Sequence, residues 1–152
     1  MRKLRSLFIA AIAVALLGPT VNLQPAYAHC QIPCGIYGDQ TRFVTLNEHI
    51  TTIEKSMNEI NELAKDPQAN ANQLVRWVMN KETHAQNIIS TISDYFLTQR
   101  VKPNQKDYTE RLARHHAVIV AAMQAKQQAD MKTVNKLREH VQALSPYYPA
   151  SK

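Results

Sequence analysis

Glycine is scarce in this 152-residue chain: it occurs at Gly18, Gly35 and Gly38, and nowhere after residue 38. Turns beyond that point fall instead to proline, at Pro67, Pro103, Pro146 and Pro149. Cysteine is limited to Cys30 and Cys34, which allow one intrachain bridge at most. No segment alternates apolar and polar residues with a period of two, which argues against a sheet. There is no internal repeat and no low-complexity segment. The longest apolar run, Leu7 to Leu17, is shorter than the roughly 20 residues needed to cross a bilayer. A strong charge of one sign is also missing. The formal net charge is +6, and the cations are scattered, which gives no footprint for nucleic acid.

The first 28 residues stand apart. Arg2, Lys3 and Arg5 form a basic start, Leu7 to Leu17 an apolar centre, and Gly18, Pro19 and Pro25 break helix. Ala26-Tyr27-Ala28 then supplies a small-x-small cleavage signal. This is the pattern of a signal peptide cut between Ala28 and His29. It predicts export to the periplasm, to a lumen or to the exterior. Residues 1–28 hold three of the 18 Lys and Arg and none of the 12 acids, so the mature chain carries +3. That mild positive balance helps attract a small anion. With the leader removed, no membrane role is expected.

Beyond residue 40 the apolar residues follow helical spacing. Phe43, Leu46, Ile50, Ile53, Met57, Ile60 and Leu63 step by three or four and predict one helix ending near Asp66-Pro67. A second runs from about Asn72 to Gln99, with Leu74, Val78, Ala85, Ile88, Ile92 and Tyr95 on one stripe. A third follows Pro103-Asn104 with Tyr108, Leu112, His115, Ile119 and Ala122, and a fourth carries Met131, Val134, Leu137, Val141 and Leu144. Around Gln127 to Asp130 there is neither Gly nor Pro, so one bent helix is an alternative there. Each stripe needs partners to bury it. Short connections favour antiparallel neighbours, so the expected fold is all-α: an antiparallel four-helix bundle over residues 41–152.

Residues 29–40 have no place in that pattern, and their chemistry points to a metal. After cleavage, His29 presents an α-amine and an imidazole. Cys30 offers its amide nitrogen and its sulfur, and Cys34 a second sulfur. The amine, the amide nitrogen and the Cys30 sulfur form two fused five-membered chelates. Cys34 closes a square plane if the chain turns back, which Pro33 and Gly35 permit. The His29 imidazole is tethered as an axial ligand. Such ligation suits Ni(II) or Cu(II) and not a tetrahedral structural zinc. Thiolates and a deprotonated amide are strong donors that stabilise Ni(III). In the uncleaved chain the His29 nitrogen is an amide, so processing is part of site assembly.

The run His29 to Tyr37, HCQIPCGIY, resembles the nickel hook of the nickel superoxide dismutases. The resemblance extends over the mature chain and includes Asp94-Tyr95-Phe96. It implies an irregular amino-terminal hook on a four-helix bundle, with one nickel ion per subunit. The implied ligands are the α-amine and imidazole of His29, the amide nitrogen and sulfur of Cys30, and the sulfur of Cys34. Tyr37 and Tyr95 are implied to stand near the open axial face, where superoxide approaches. The implied reaction converts superoxide to oxygen and hydrogen peroxide by Ni(II)/Ni(III) cycling, in a homohexamer. Two positions depart from the family. Gln31 stands where an acid is common, and Asn80 where an Arg holds the ligating histidine. Glu48, Arg76, Glu82 and His84 are the nearby candidates for that holding role.

Blander readings compete with these. Cys30 and Cys34 also suit a disulfide in an exported helical interaction protein. The same terminal chelate also serves a non-enzymatic nickel- or copper-binding protein. Adjacent helical residues do not face each other, so His115-His116 predicts one inward and one outward side chain. His49, His84 and His140 read as surface or satisfied histidines. Tyr147-Tyr148 reads as an apolar tail suited to docking on a neighbouring subunit.

Overall fold

A computed structural model describes residues 38–149, and they form an all-α bundle of four helices with no strand among them. Helix α1 spans Asp39–Leu63. Helix α2 spans Ala71–Ser90 and continues directly into a π-helical segment, Thr91–Arg100. Helix α3 spans Tyr108–Gln127 and α4 spans Met131–Gln142. A short 3-10 turn, Ser145–Tyr147, follows. α1 packs chiefly on α2 and then on α4, and α3 lies against both α2 and α4. The leader and most of the hook expected over residues 1–28 and 29–40 lie outside the described residues.

The α1 stripe is buried through Phe43, Leu46, Ile50, Ile53 and Met57, while Ile60 and Leu63 at its end are only half-buried. In α2 the stripe is buried only from Ala85 onward, through Ile88, Ile92, Tyr95 and Phe96. Val78 is 40% exposed, and Val75 and Met79 beside it are more so. The first half of α2 therefore outruns the bundle that would cover it. On α3 the buried face is His115, Val118, Ala121, Ala122 and Ala125, and Leu112 of the predicted stripe is exposed. Alanine is small enough to let α3 approach its neighbours closely, so alanines replace larger residues on the inward face. On α4, Val134, Leu137 and Val141 are buried, as is Leu144 just beyond it.

Helices α3 and α4 are separate, not one bent helix. α3 ends as Gln128 turns to extended backbone, at φ −133° and ψ 156°. Asp130 then starts α4, its side chain accepting from the Lys132 amide at 2.9 Å. A carboxylate at this position satisfies an amide the helix leaves open, so an aspartate does the work expected of Gly or Pro. The connection is completed by Lys81 of α2, which is only 3% exposed. Its Nζ donates to the carbonyls of Ala125, at 2.8 Å, and of Lys126, and pairs with Glu82 at 3.1 Å. A cation there answers the partial negative charge at the end of α3 and satisfies its last carbonyls.

Tyr148 does not project toward a neighbour. It packs into its own bundle against Phe43 and Phe96, with ring centroids 5.7 and 4.7 Å away.

Lys81→Met leaves the terminal carbonyls of α3 without donors. Urea unfolding is expected to show a loss of about 1–3 kcal/mol, the usual cost of unsatisfied buried polar groups. An unchanged midpoint would show that water replaces the ammonium at no cost.

Candidate metal centre

His29, Cys30, Cys34 and Tyr37 lie outside the described residues, which begin at Gly38. Among the described residues, no three or more His, Cys, Asp or Glu side chains gather in a way that could hold a metal ion. The described part of the site is the bundle end to which residues 29–37 are covalently joined. Tyr95, the one expected site residue among those described, lies at this end.

Tyr95 is 7% exposed and sits on the π-helical segment. Its hydroxyl donates to Asp39 Oδ1 at 2.7 Å and accepts from Arg100 Nη2 at 2.7 Å. Arg100 Nε donates to the same Asp39 oxygen, also at 2.7 Å. The three side chains thus close a ring of contacts between the first turn of α1 and the end of α2. Two guanidiniums stand over the tyrosine ring, with the Arg100 carbon 4.7 Å and the Arg42 carbon 5.6 Å from its centroid. Burial and the hydrogen bond to Asp39 push the Tyr95 hydroxyl above its ordinary ionisation range, with Arg100 opposing. The hydroxyl is therefore protonated at neutral pH, and its proton is committed to Asp39.

The π register makes this ring possible. In an α-helix, residues five apart point roughly 140° away from each other. Here Thr98 Oγ1 donates to the Ser93 carbonyl at 2.7 Å, Gln99 Nε2 to that of Asp94 at 3.2 Å, and the Val101 amide to that of Phe96 at 3.0 Å. Each of these spans five residues. The widened turn brings Tyr95 and Arg100 to one side. Helical spacing alone does not flag Arg100 or Asp39 as partners of Tyr95. The available signal was an acid just after the hook and a cation at the end of the Asp94-Tyr95-Phe96 segment.

The residues considered as holders of the ligating histidine are distributed differently. Asn80 Nδ2 donates to Ser56 Oγ at 3.0 Å. Glu82 is engaged with Lys81 and, at 3.8 Å, with Lys126. Arg76 lines an open groove with Thr52, Lys55, Gln73, Trp77 and Asn80. Glu48 is exposed. His84 faces His49 across α1 and α2, Nδ1 to Nδ1 at 2.9 Å. One ring must donate and the other accept, so the two Nδ1 atoms share one proton. Burial, and then the charge of His84, hold His49 below the usual histidine range.

His115 is fully buried and His116 exposed, as adjacent helical positions require. The Arg111 carbonyl can only accept, so His115 Nδ1 donates to it, at 2.7 Å. Nε2 then accepts from the Tyr148 hydroxyl at 2.9 Å. Burial keeps this imidazole neutral and pushes Tyr148 up to about 12. The Gln40 side chain donates to the Tyr148 carbonyl at 2.6 Å. The carboxyl-terminal turn is thereby tied to the first turn of α1, beside Asp39.

The family model described as nickel-containing superoxide dismutase matches residues 24–152, which takes in HCQIPCGIY and every described residue. No curated protein and no solved structure matches the chain.

His49 and His115 both titrate below 6.5 in the folded chain, so the unfolded chain binds more protons below that pH. Their contribution to stability is complete above pH 6.5 and is lost as pH falls toward the folded values. The melting temperature of metal-free protein is expected to fall between pH 7 and pH 5. Replacing both His49 and His84 with Gln should flatten that slope. A melting temperature that rises on acidification would contradict the assignment of neutral buried imidazoles.

Proposed function

The chain belongs to the nickel-containing superoxide dismutases, and on that premise we propose that its nickel ion is held by His29, Cys30 and Cys34 of a processed amino terminus. The family membership makes the protein a nickel-dependent oxidoreductase acting on superoxide. The observation that carries the ligand assignment is one coincidence in the sequence. His-Cys-x-x-Pro-Cys begins directly after a small-x-small cleavage signal, inside the family match.

The donor set fits the metal. The amine and imidazole of His29, the amide nitrogen and sulfur of Cys30 and the sulfur of Cys34 would hold nickel, and strong donors of this kind would favour its higher oxidation state. Bound nickel supplies one-electron chemistry between Ni(II) and Ni(III), by which superoxide is alternately oxidised to oxygen and reduced to hydrogen peroxide. All of these ligands coordinate in deprotonated form, so loading releases protons and weakens in acid.

The remaining roles fall to side chains of the bundle end. By resemblance to the family, Tyr37 and Tyr95 would stand near the path by which superoxide approaches the metal. The Tyr95 hydroxyl is held by Asp39 and Arg100, so it is placed to restrict access and order water. Arg42, beside its ring, adds positive charge to this end of the bundle, which favours the approach of a small anion.

The unit of function is a homo-oligomer, a hexamer by family resemblance. The exposed apolar residues Val75, Val78 and Met79 on the first half of α2 support burial against another subunit. The chain is exported, to the periplasm, a lumen or the exterior, with residues 1–28 removed and the hook ending where α1 begins at Asp39, two residues before the boundary expected from sequence. No helix among the described residues is long and apolar enough to cross a membrane.

Intact mass spectrometry of processed protein is expected to show a start at His29 and one nickel per chain. A different amino terminus would remove the proposed amine ligand. Cys34→Ser is expected to lose nickel and superoxide removal together, and unchanged activity in that variant would refute the thiolate assignment.

A further inference from the structure

The contacts around Asp39 bear on how the metal-binding segment is held. Asp39 is the first residue of α1, two positions after Tyr37 and five after Cys34. Covalent reach keeps Cys34 within about 18 Å of it. Asp39 receives two donors on one oxygen, from Arg100 and from Tyr95, while Arg100 also donates to the Tyr95 hydroxyl. Gln40, next in the chain, is fixed to the Tyr148 carbonyl. The first turn of α1 is therefore fastened at two consecutive residues, to the π segment and to the carboxyl-terminal turn.

We propose that Arg100 is a positioning residue for the metal centre: its fork on Asp39 and Tyr95 sets where the hook leaves the bundle. The inference rests on the ligand assignment proposed above. Arg100 acts through Asp39 and Tyr95, and its own charge stays paired. The guanidinium suits this task because Nε and Nη2 donate in fixed directions to two different acceptors. An ammonium on the same stem is a point charge without that planarity. The side chains of Arg100 and Asp39 are 26% and 29% exposed and form one network with the Tyr95 hydroxyl. A pair held in this geometry at the hook's attachment point is better explained by orientation than by holding the fold. The π register has the same explanation, since it is what allows Tyr95 and Arg100 to meet five residues apart.

The test uses mature chain beginning at His29, in wild-type form and as Arg100→Gln, Arg100→Lys, Asp39→Asn and the Arg100→Gln/Asp39→Asn double variant. Nickel affinity is measured by competition with a chelator, the electronic environment by the electron paramagnetic resonance spectrum of the oxidised centre, and folding by the melting temperature of metal-free protein. Arg100→Gln is expected to weaken nickel binding about 10- to 100-fold, the usual effect of removing a partner that orients metal ligands. It should also alter the spectrum and leave the melting temperature within a few degrees. Asp39→Asn should do the same, the double variant should be no worse than the stronger single one, and Lys should restore part of the loss. Wild-type affinity and spectrum in Arg100→Gln would overturn the proposal. So would a loss of affinity matched by a large fall in melting temperature, which marks a role in folding alone. Cys34→Ser separates the two readings. If it loses nickel while Arg100→Gln does not, the positioning role alone fails. If neither loses nickel, the ligand assignment fails and this inference fails with it.

Discussion

Asp39 takes a hydrogen bond from the Tyr95 hydroxyl and an ion pair from Arg100 at the point where the bundle begins. A carboxylate in the first turn of a helix is favoured by the helix dipole, and here two further donors orient it. The arrangement requires Tyr95 and Arg100 on one side of their helix. An α-helix separates residues five apart, so the end of α2 is wound as a π-helix. The widened turn thus serves the same joint as the ion pair.

Behind this joint an aromatic cluster surrounds the hydrogen-bonded pair of His115 and Tyr148. Tyr95 contacts Phe96 edge-on at 5.1 Å, and Phe96 meets Phe43, Tyr148 and His115 within 6 Å. His115 and Tyr148 are buried titratable groups, and their hydrogen bonds leave the imidazole neutral and the phenol protonated. A buried network with its main partners in place rigidifies its surroundings. That rigidity reaches the first turn of α1 through Gln40. At the opposite end, Val75, Val78 and Met79 on the first half of α2 are exposed to solvent.

The class of fold was readable from the spacing of apolar residues because α1 and α4 each bury one continuous stripe. Where reading failed, the reason was local. On α3 the buried face is carried by alanines and by His115, whose side chains give a weak apolar signal, so Leu112 was placed inward wrongly. The break between α3 and α4 carries no Gly or Pro. It is made by the Asp130 cap and by Lys81, which reaches across from α2 to the end of α3. Tyr148 read as a tail for a neighbour, since its apolar character says nothing about which surface it covers.

For the site, the division follows the range of the interactions. The proposed ligand pattern at His29, Cys30 and Cys34 is a matter of adjacent residues, chelate ring size and a cleavage signal, so it was legible from sequence, and it lies within the family match. Tyr95 was found through the Asp94-Tyr95-Phe96 segment. Its partners were not, because Asp39 lies 56 residues away and Arg100 sits at a spacing that α-helical periodicity rejects. The sequence by itself determined the helical class and the pattern from which the metal's donors are proposed, since both depend on local chemistry and period. Only the tertiary structure decided how the hydroxyl of Tyr95 is held, because that depends on the winding of one helix end and on a contact between residues far apart in the chain.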